Sequence, residues 1–280
     1  MTDQPLIETT QDAMTSCPSC LEGPVTLRTI RKWSKANNKW SCLTCYDATT
    51  ARWMAEAGLP TMLVGDTAAE MILGFDSTIH APLDFLILLT AAVKRGAPNV
   101  FVMGDMQFLS YQVDEASAVT NAGRFMTEGN ADAVKLEVDR NYLDRFAAIC
   151  NAGVASVAHL GSKLQQAKQA GGYTSAGRNA DAAQIIVEDA IAFEQAGASM
   201  LLLEAVPEEV SSAVVSATTI PVIGCGAGTD CHGQVVVLQD LAGLTKWQPA
   251  FAKPTSNLGI ELGNVAKNWM ENVHLVLIHI

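Results

Sequence analysis

The chain has 280 residues and a formal net charge of −11, with 49% hydrophobic and 17% charged residues. That length suits one large α/β domain or two smaller ones, and the composition is neither disordered nor coiled-coil. The acidity argues against nucleic-acid binding, which needs a basic face; no apolar run reaches the ~18 residues of a membrane span, and MTDQPLIETTQDAM lacks the order of a secretory signal, so a soluble, cytoplasmic protein is expected.

Residues 1–38 read as an N-terminal extension, partly irregular, with a CPSC turn and the basic stretch RTIRKWSKANNK. Cys17-x-x-Cys20 and Cys42-x-x-Cys45 have the spacing of a four-cysteine zinc site. The second pair lies in WSCLTCYD, which reads as a strand, where residues three apart point to opposite faces. Neither pair carries the glycine that a zinc knuckle needs, so buried or free thiols are the favoured reading. Seven cysteines do not make a complete disulfide set, in keeping with a reducing compartment.

Residues 39–280 read as a single domain with a helical C-terminal tail. Its short apolar runs are WSCLTC, TMLV, VFVM, AVKL, ASVAHL, SMLLL, IPVIG and, less clearly, QVVVL. Between them lie amphipathic segments such as ATTARWMAEAG, LDFLILLTAAVKRGA, EASAVTNAGRFMTEG, NYLDRFAAICNAG and ADAAQIIVEDAIAFEQAG. Each ends near a glycine, a usual helix stop. Near-continuous apolar strands alternating with helices imply a parallel sheet buried on both faces, and about eight such units match a (β/α)8 TIM barrel. A doubly wound open sheet would carry a glycine-rich loop after its first strand; YDATTARW stands there instead.

In such a barrel the chemistry lies just past the C-terminal ends of the strands. Asp66 and Thr67 follow TMLV, Asp105 follows VFVM, Lys135 and Glu137 share one face of AVKLE, His159 ends ASVAH, and Glu204 follows SMLLL. Charges placed there are costly unless paired with each other or with a metal. Asp66, Asp105 and Glu137 suit a hard divalent cation, Mg²⁺ best. Any one of these alone is as readily a helix cap or turn residue; the pattern across five strands is what points to a site. Glu204 follows a very apolar run, so its pKa should be raised, as suits a general base; the alternative is a carboxylate bonded to amides of the AVPEE turn. His159 reads equally as a bonded wall residue or a catalytic group. The glycine-rich GCGAGTDCHGQ suits close backbone approach to a ligand, and its Cys231-His232 pair has no evident partner for nucleophilic chemistry.

The blocks LTCYDATTARWMAEAG, LVGDT, ILGFDST, GDMQFLSYQ, AVKLE, VAHLG, GGYTSAGR, LLLEAVP and IGCGAGTDCHGQVVVLQDLAGL occur in order. Together they resemble the successive motifs of the ketopantoate hydroxymethyltransferase family, from about Trp40 to Lys253. The resemblance implies a TIM barrel that transfers a hydroxymethyl group from 5,10-methylenetetrahydrofolate to 3-methyl-2-oxobutanoate, giving 2-dehydropantoate in pantothenate biosynthesis. It implies Asp66 and Asp105 as ligands of Mg²⁺ or another divalent cation, with Glu137 completing the site directly or through a water. Thr67 would contact the keto acid, Lys135 would hold its carboxylate or keto oxygen, His159 would lie against it, and Glu204 would accept the proton. A homo-oligomer is expected on the same ground, with small-molecule partners and neither nucleic acid nor membrane.

The chain departs from the family pattern at Glu70, where GDSLG becomes Gly65-Asp66-Thr67-Ala68-Ala69-Glu70, and at Gln107, which replaces a usual proline. Val138-Asp139 and Ser162-Lys163-Leu164 also differ from the pattern. These changes touch loops and bear on substrate choice and folate binding. Three other readings stand beside this one. The first is an α-keto acid lyase or mutase resembling the phosphoenolpyruvate mutase and isocitrate lyase group, whose KKCGH-like loop is missing here. The others are a non-catalytic barrel paralogue and an N-terminal zinc module.

Overall fold

The computed structural model describes residues 23–275; Cys17 and Cys20 lie outside them. Eight strands, β1 Trp40–Thr44, β2 Thr61–Val64, β3 Phe101–Asp105, β4 Ala133–Glu137, β5 Ser156–Gly161, β6 Met200–Glu204, β7 Val222–Cys225 and β8 Gly233–Val236, pair in sequence order. β8 returns to β1 in parallel, with Trp40 opposite Gly233, and closes a barrel. Every apolar run read from the sequence is a strand, QVVVL included, and the expected TIM barrel is the fold.

The helices are α1 Leu27–Lys35, α2 Ala48–Glu56, α3 Ala68–Met71, α4 Leu83–Gly96, α5 Glu115–Thr127, α6 Leu143–Asn151, α7 Ala167–Ala170, α8 Ala180–Gln195, α9 Glu208–Ala217, α10 Leu238–Leu241 and α11 Leu258–His274. Local chemistry sets several starts. The side chains of Asp47, Asp114 and Asn179 accept from the backbone N–H of Thr50, Ser117 and Ala182 at 2.8, 2.7 and 2.8 Å, which satisfies amides a helix N-terminus leaves unpaired. No helix among the described residues is long and apolar enough to cross a membrane.

Alternation along the strands divides the apolar residues into two cores. Val64, Val102, Val134, Leu136, Leu160, Leu201 and Leu203 face outward and pack under the helices. Trp40, Cys42, Leu63, Phe101, Met103, Val157, Met200, Leu202 and Ile223 fill the barrel interior. Cys42 is therefore inside the barrel, while Cys45 belongs to the outer core, as strand alternation requires. Burial pushes the two thiols up to about 12 and about 11, far from the thiolate a metal needs. Gly233 is needed at the barrel floor, because a Cβ there would lie 2.6 Å from the Trp40 ring.

Helix α1 stops the N-terminal end of the barrel. Thr26 and Thr29 cap it reciprocally, Ile30 is fully buried in the interior cluster, and Trp40 Nε1 donates to Ser34 Oγ at 3.4 Å. The basic residues of RTIRKWSK lie on its outer side. Replacing Ile30 by alanine should lower unfolding free energy by about 2–5 kcal/mol, the usual cost of emptying such a site. Denaturant unfolding measures this, and a loss below about 0.5 kcal/mol would show that α1 is not part of the cooperative core.

Candidate active site

At the C-terminal mouth the inward-facing positions turn from apolar to ionisable. Asp105 ends β3, Lys135 and Glu137 occupy the upper half of β4, His159 lies on β5 and Glu204 ends β6. Asp66 and Thr67 form the turn between β2 and α3. All seven residues singled out from the sequence line one cavity of about 780 Å³.

Lys135 is central. Its Nζ lies 2.8 Å from Asp105 Oδ1 and 3.2 Å from His159 Nδ1. His159 Nε2 lies 2.9 Å from the Ser162 carbonyl oxygen. A carbonyl only accepts, so the imidazole proton sits on Nε2 and Nδ1 accepts from the ammonium. Burial, and then the Lys135 charge, hold His159 well below its usual pKa. Its 4.0 Å approach to Glu137 Oε1 is thus not an ion pair, and His159 is a neutral, bonded wall residue.

The carboxylates have distinct partners. Asp105 Oδ2 accepts from the Asp66 backbone N–H at 3.0 Å, whereas Oδ1 faces Lys135 off the hydrogen-bond direction and has no hydrogen-bond partner. Glu137 accepts from the backbone N–H of Leu164 at 3.1 Å and of Gln165 at 3.0 Å, one on each oxygen. Asp66 Oδ2 accepts from Gln165 Nε2 at 3.0 Å. Thr67 Oγ1 hydrogen-bonds Tyr46 OH at 2.5 Å.

This cluster has three buried carboxyls and one buried ammonium. Burial pushes Asp105 up to about 7, Lys135 pulling against it and Asp66 adding to it. Burial and the Asp66 charge push Glu137 well above the usual carboxylate range. Burial opposes the Lys135 charge, but Asp105, Asp66 and Glu137 outweigh it and hold the ammonium above its ordinary value. Three buried carboxyls against one ammonium fit a hard cation with oxygen ligands. Among the described residues no three His, Cys, Asp or Glu side chains converge as a complete cage. Mg²⁺ does not need one, since it takes one or two carboxylates and fills its remaining positions with water and substrate oxygens.

Glu204 stands across the cavity, partly exposed to it. Burial raises its carboxyl to about 7, and the neighbouring Cys225 thiol works against the rise. Its backbone carbonyl accepts from the Ser162 N–H at 2.9 Å. Nearer solvent, Glu70 lines the cavity and accepts from Tyr173 OH at 3.4 Å; Phe75, Trp247 and Phe251 complete the rim.

The sequence reading missed the residue that joins these groups. Gln165 Nε2 bonds Asp66 and the Met106 carbonyl, its Oε1 accepts from Tyr111 OH at 3.1 Å, and its amide serves Glu137. Tyr111's single hydroxyl proton is shared between Gln165 Oε1 and the Glu137 carbonyl, the nearer acceptor at 2.7 Å. The only signal for Tyr111 was its place in GDMQFLSYQ, and Gln165 lies in a polar stretch with none. The departure at 162–164 supplies the carbonyl that fixes His159 and one of the amides on Glu137. Asp139, just after β4, forms an ion pair with Lys163 of that loop. In the glycine-rich segment Cys231 is buried and His232 Nδ1 accepts from the Val222 N–H at 3.0 Å.

A closed parallel barrel with its ionisable groups gathered at the C-terminal mouth is the architecture of a TIM-barrel enzyme. The family model of ketopantoate hydroxymethyltransferase matches residues 24–275, and the chain belongs to that family. A 3-methyl-2-oxobutanoate hydroxymethyltransferase of Mycobacterium ulcerans (strain Agy99) is 41% identical over 92% of this chain and 88% of its own. One from Mycolicibacterium paratuberculosis (strain ATCC BAA-968 / K-10) is 41% identical over 87% of this chain and 86% of its own. Among solved structures, 2,3-dimethylmalate lyase, a PEP mutase/isocitrate lyase superfamily member, has a TM-score of 0.60 at 15% identity over 89% of this chain and 87% of its own. Phosphonopyruvate hydrolase in complex with oxalate and Mg²⁺ has a TM-score of 0.60 at 12% identity over 89% and 88%. At such identities these two establish the shared fold alone.

Gln165→Met preserves length but leaves the Asp66 oxygen and the Met106 carbonyl short of a partner. Thermal and denaturant unfolding should register a loss of about 1–3 kcal/mol, the usual cost of a buried group left unsatisfied; wild-type stability would show that water takes its place.

Proposed function

We propose that this chain transfers a hydroxymethyl group from 5,10-methylenetetrahydrofolate to 3-methyl-2-oxobutanoate, giving 2-dehydropantoate for pantothenate and coenzyme A synthesis. The observation that carries the reading is a carboxyl poised near neutrality, Glu204, across one cavity from the buried Asp66, Asp105, Lys135 and Glu137 cluster. The family membership supports it.

In this reading Asp66 and Asp105 hold a divalent cation, Mg²⁺ by preference. Glu137, with both oxygens already bonded to backbone amides, joins the site through water. The cation supplies positive charge to the keto-acid oxygens as the adjacent carbon loses its proton. Lys135, aligned by Asp105 and His159, directs an N–H to the keto-acid carboxylate or keto oxygen, and His159 forms the wall behind it. Thr67, steadied by Tyr46, donates its hydroxyl to the keto acid. Glu204 takes the proton from C3, and that carbon's electron pair forms the new C–C bond to the folate's one-carbon unit as both C–N bonds of that unit break. Water supplies the hydroxyl, and the C3 proton and one from water end on the two nitrogens of the departing tetrahydrofolate. The cavity is large for a keto acid alone, and its outer part under Phe75, Trp247 and Phe251 leaves room for the folate. The catalytic barrel spans residues 39–280 in this reading, with residues 1–38 as its N-terminal extension.

Deuterium exchange at C3 of 3-methyl-2-oxobutanoate, followed by NMR, isolates the first step without folate. Exchange should need the divalent cation and should fall as pH drops below about 7, because only ionised Glu204 accepts a proton. Glu204→Gln should remove it by about 10²-fold or more while the keto acid still binds. Asp105→Ala should weaken both cation and keto-acid binding. Wild-type turnover in Glu204→Gln would refute the base, and unchanged affinities in Asp105→Ala would refute the cation site.

The same reading includes a homo-oligomer, and α11 supports it. None of its residues is buried, and Leu258, Ile260, Leu262, Val265, Trp269 and Met270 are all exposed. Meanwhile no helix lies between β7 and β8, and the helix directly after β8 is the four-residue α10, so this part of the helical ring is thinly covered. The proposed occupant is α11 of a second copy of this chain. Sedimentation of the full chain should give an oligomer and of Val265→Asp/Trp269→Asp a smaller species; a wild-type monomer at micromolar concentration would refute the arrangement.

A further inference from the structure

Glu204 and Cys225 are paired positions on adjacent strands β6 and β7, and both line the cavity. On its other side Glu204 is paired with Gly161 of β5. Gly161 brings no side chain and has space for none: a Cβ there would lie 2.4 Å from the Glu204 carbonyl oxygen. Of the two strands flanking β6, only β7 therefore sets a side chain beside this carboxyl.

The other groups facing Glu204 act from farther off. Lys135 from β4 and Asp66 from the turn after β2 act by charge alone. His159 of β5 has both ring nitrogens engaged, by Lys135 and the Ser162 carbonyl. The backbone on either side of the carboxyl is clamped. The Ser162 N–H donates to the Glu204 carbonyl and the Ala205 N–H to the Cys225 carbonyl, each at 2.9 Å. Ala205 adopts a φ of 48°, a left-handed conformation uncommon for a residue with a Cβ. The clamp fixes where the Glu204 side chain leaves the strand but not how its carboxyl turns.

We propose that Cys225 is the positioning residue of the proton-transfer step, its S–H donating to the Glu204 carboxylate and holding it toward the cavity. The inference rests on Glu204 being the base. Burial, and then the neighbouring Glu204 charge, keep the thiol protonated, so it acts as a donor and not as a nucleophile. A donor to the ionised form of an acid opposes the effect of burial. The Glu204 carboxyl, near 7 with the thiol in place, would rise further without it.

The test uses the full chain with Mg²⁺ and compares wild type, Cys225→Val, Cys225→Ser and Glu204→Gln. Valine is close in volume, lacks a donor and excludes water; serine keeps the donor. Two quantities are read against pH: C3–deuterium exchange of 3-methyl-2-oxobutanoate, and the ¹³C carboxyl shift of Glu204, assigned as the signal lost in Glu204→Gln. In Cys225→Val both midpoints should move up, with exchange below the midpoint falling about tenfold for each pH unit moved. In Cys225→Ser both should stay at or below wild type. Coincident titrations for wild type and Cys225→Val, or serine behaving as valine does, would overturn the hydrogen bond itself. A moved carboxyl titration with undisturbed exchange, or exchange surviving in Glu204→Gln, would show that Glu204 is not the base and would overturn the positioning role on that separate ground.

Discussion

The Lys135 ammonium, buried at the barrel mouth and 2.8 Å from Asp105, is the charge on which the other groups of the site depend. A buried cation is tolerable only with close counter-charge and satisfied donors, and three carboxyls supply more than enough. Asp105 compensates Lys135 directly, while Asp66 and Glu137 are held back by Gln165 and by backbone amides. His159 is neutral because burial and then the Lys135 charge make it so, and its tautomer follows from the Ser162 carbonyl. In the proposed reading, that excess of carboxyls is the property that would let a structural ion pair serve as a cation site.

Much of this was legible in the chain. Strands buried on both faces must be apolar along their whole length, so TMLV, VFVM and SMLLL stand out, and a charge directly after such a run marks a strand end facing the mouth. Alternation alone separates Cys42 from Cys45, which lie on opposite faces of the sheet. What escaped was structure without such a signature. Helix α9, EEVSSAVVSA, is rich in serine and β-branched valine, which favour helix weakly. Helix α1 buries only Ile30 and Ser34, too few positions for a period to emerge. Gln165 and Asp66 are 99 residues apart, and a neutral amide in a polar loop gives no hint that it joins two strands' worth of acids.

The departures from the family pattern fall where the scaffold is open to change. Glu70 and Tyr173 meet at the rim, and Asp139 pairs with Lys163 on the loop that delivers Leu164 and Gln165 to Glu137. The substituted loop thus makes the backbone contacts the acidic cluster needs. A backbone amide can serve Glu137 whatever side chain it carries, which is why a loop altered at 162–164 still assembles the same cluster. Rim changes instead alter charge and shape away from the reacting carbon, where they bear on which keto acid or folate enters.

The two carboxyls near 7, Asp105 and Glu204, have the same first cause, burial, but opposite consequences. Asp105 sits among Asp66, Lys135 and Glu137, so its protonation answers to neighbouring charge as well as to burial. A cation arriving there competes with a proton, and its affinity rises with pH. Glu204 is set apart from that cluster, at the end of an apolar strand, with no acidic partner as close. Its affinity for a proton is set by burial and by what lies on β7. In the proposed mechanism the barrel thereby keeps charge neutralisation and proton transfer on different strands, so that either can change without undoing the other.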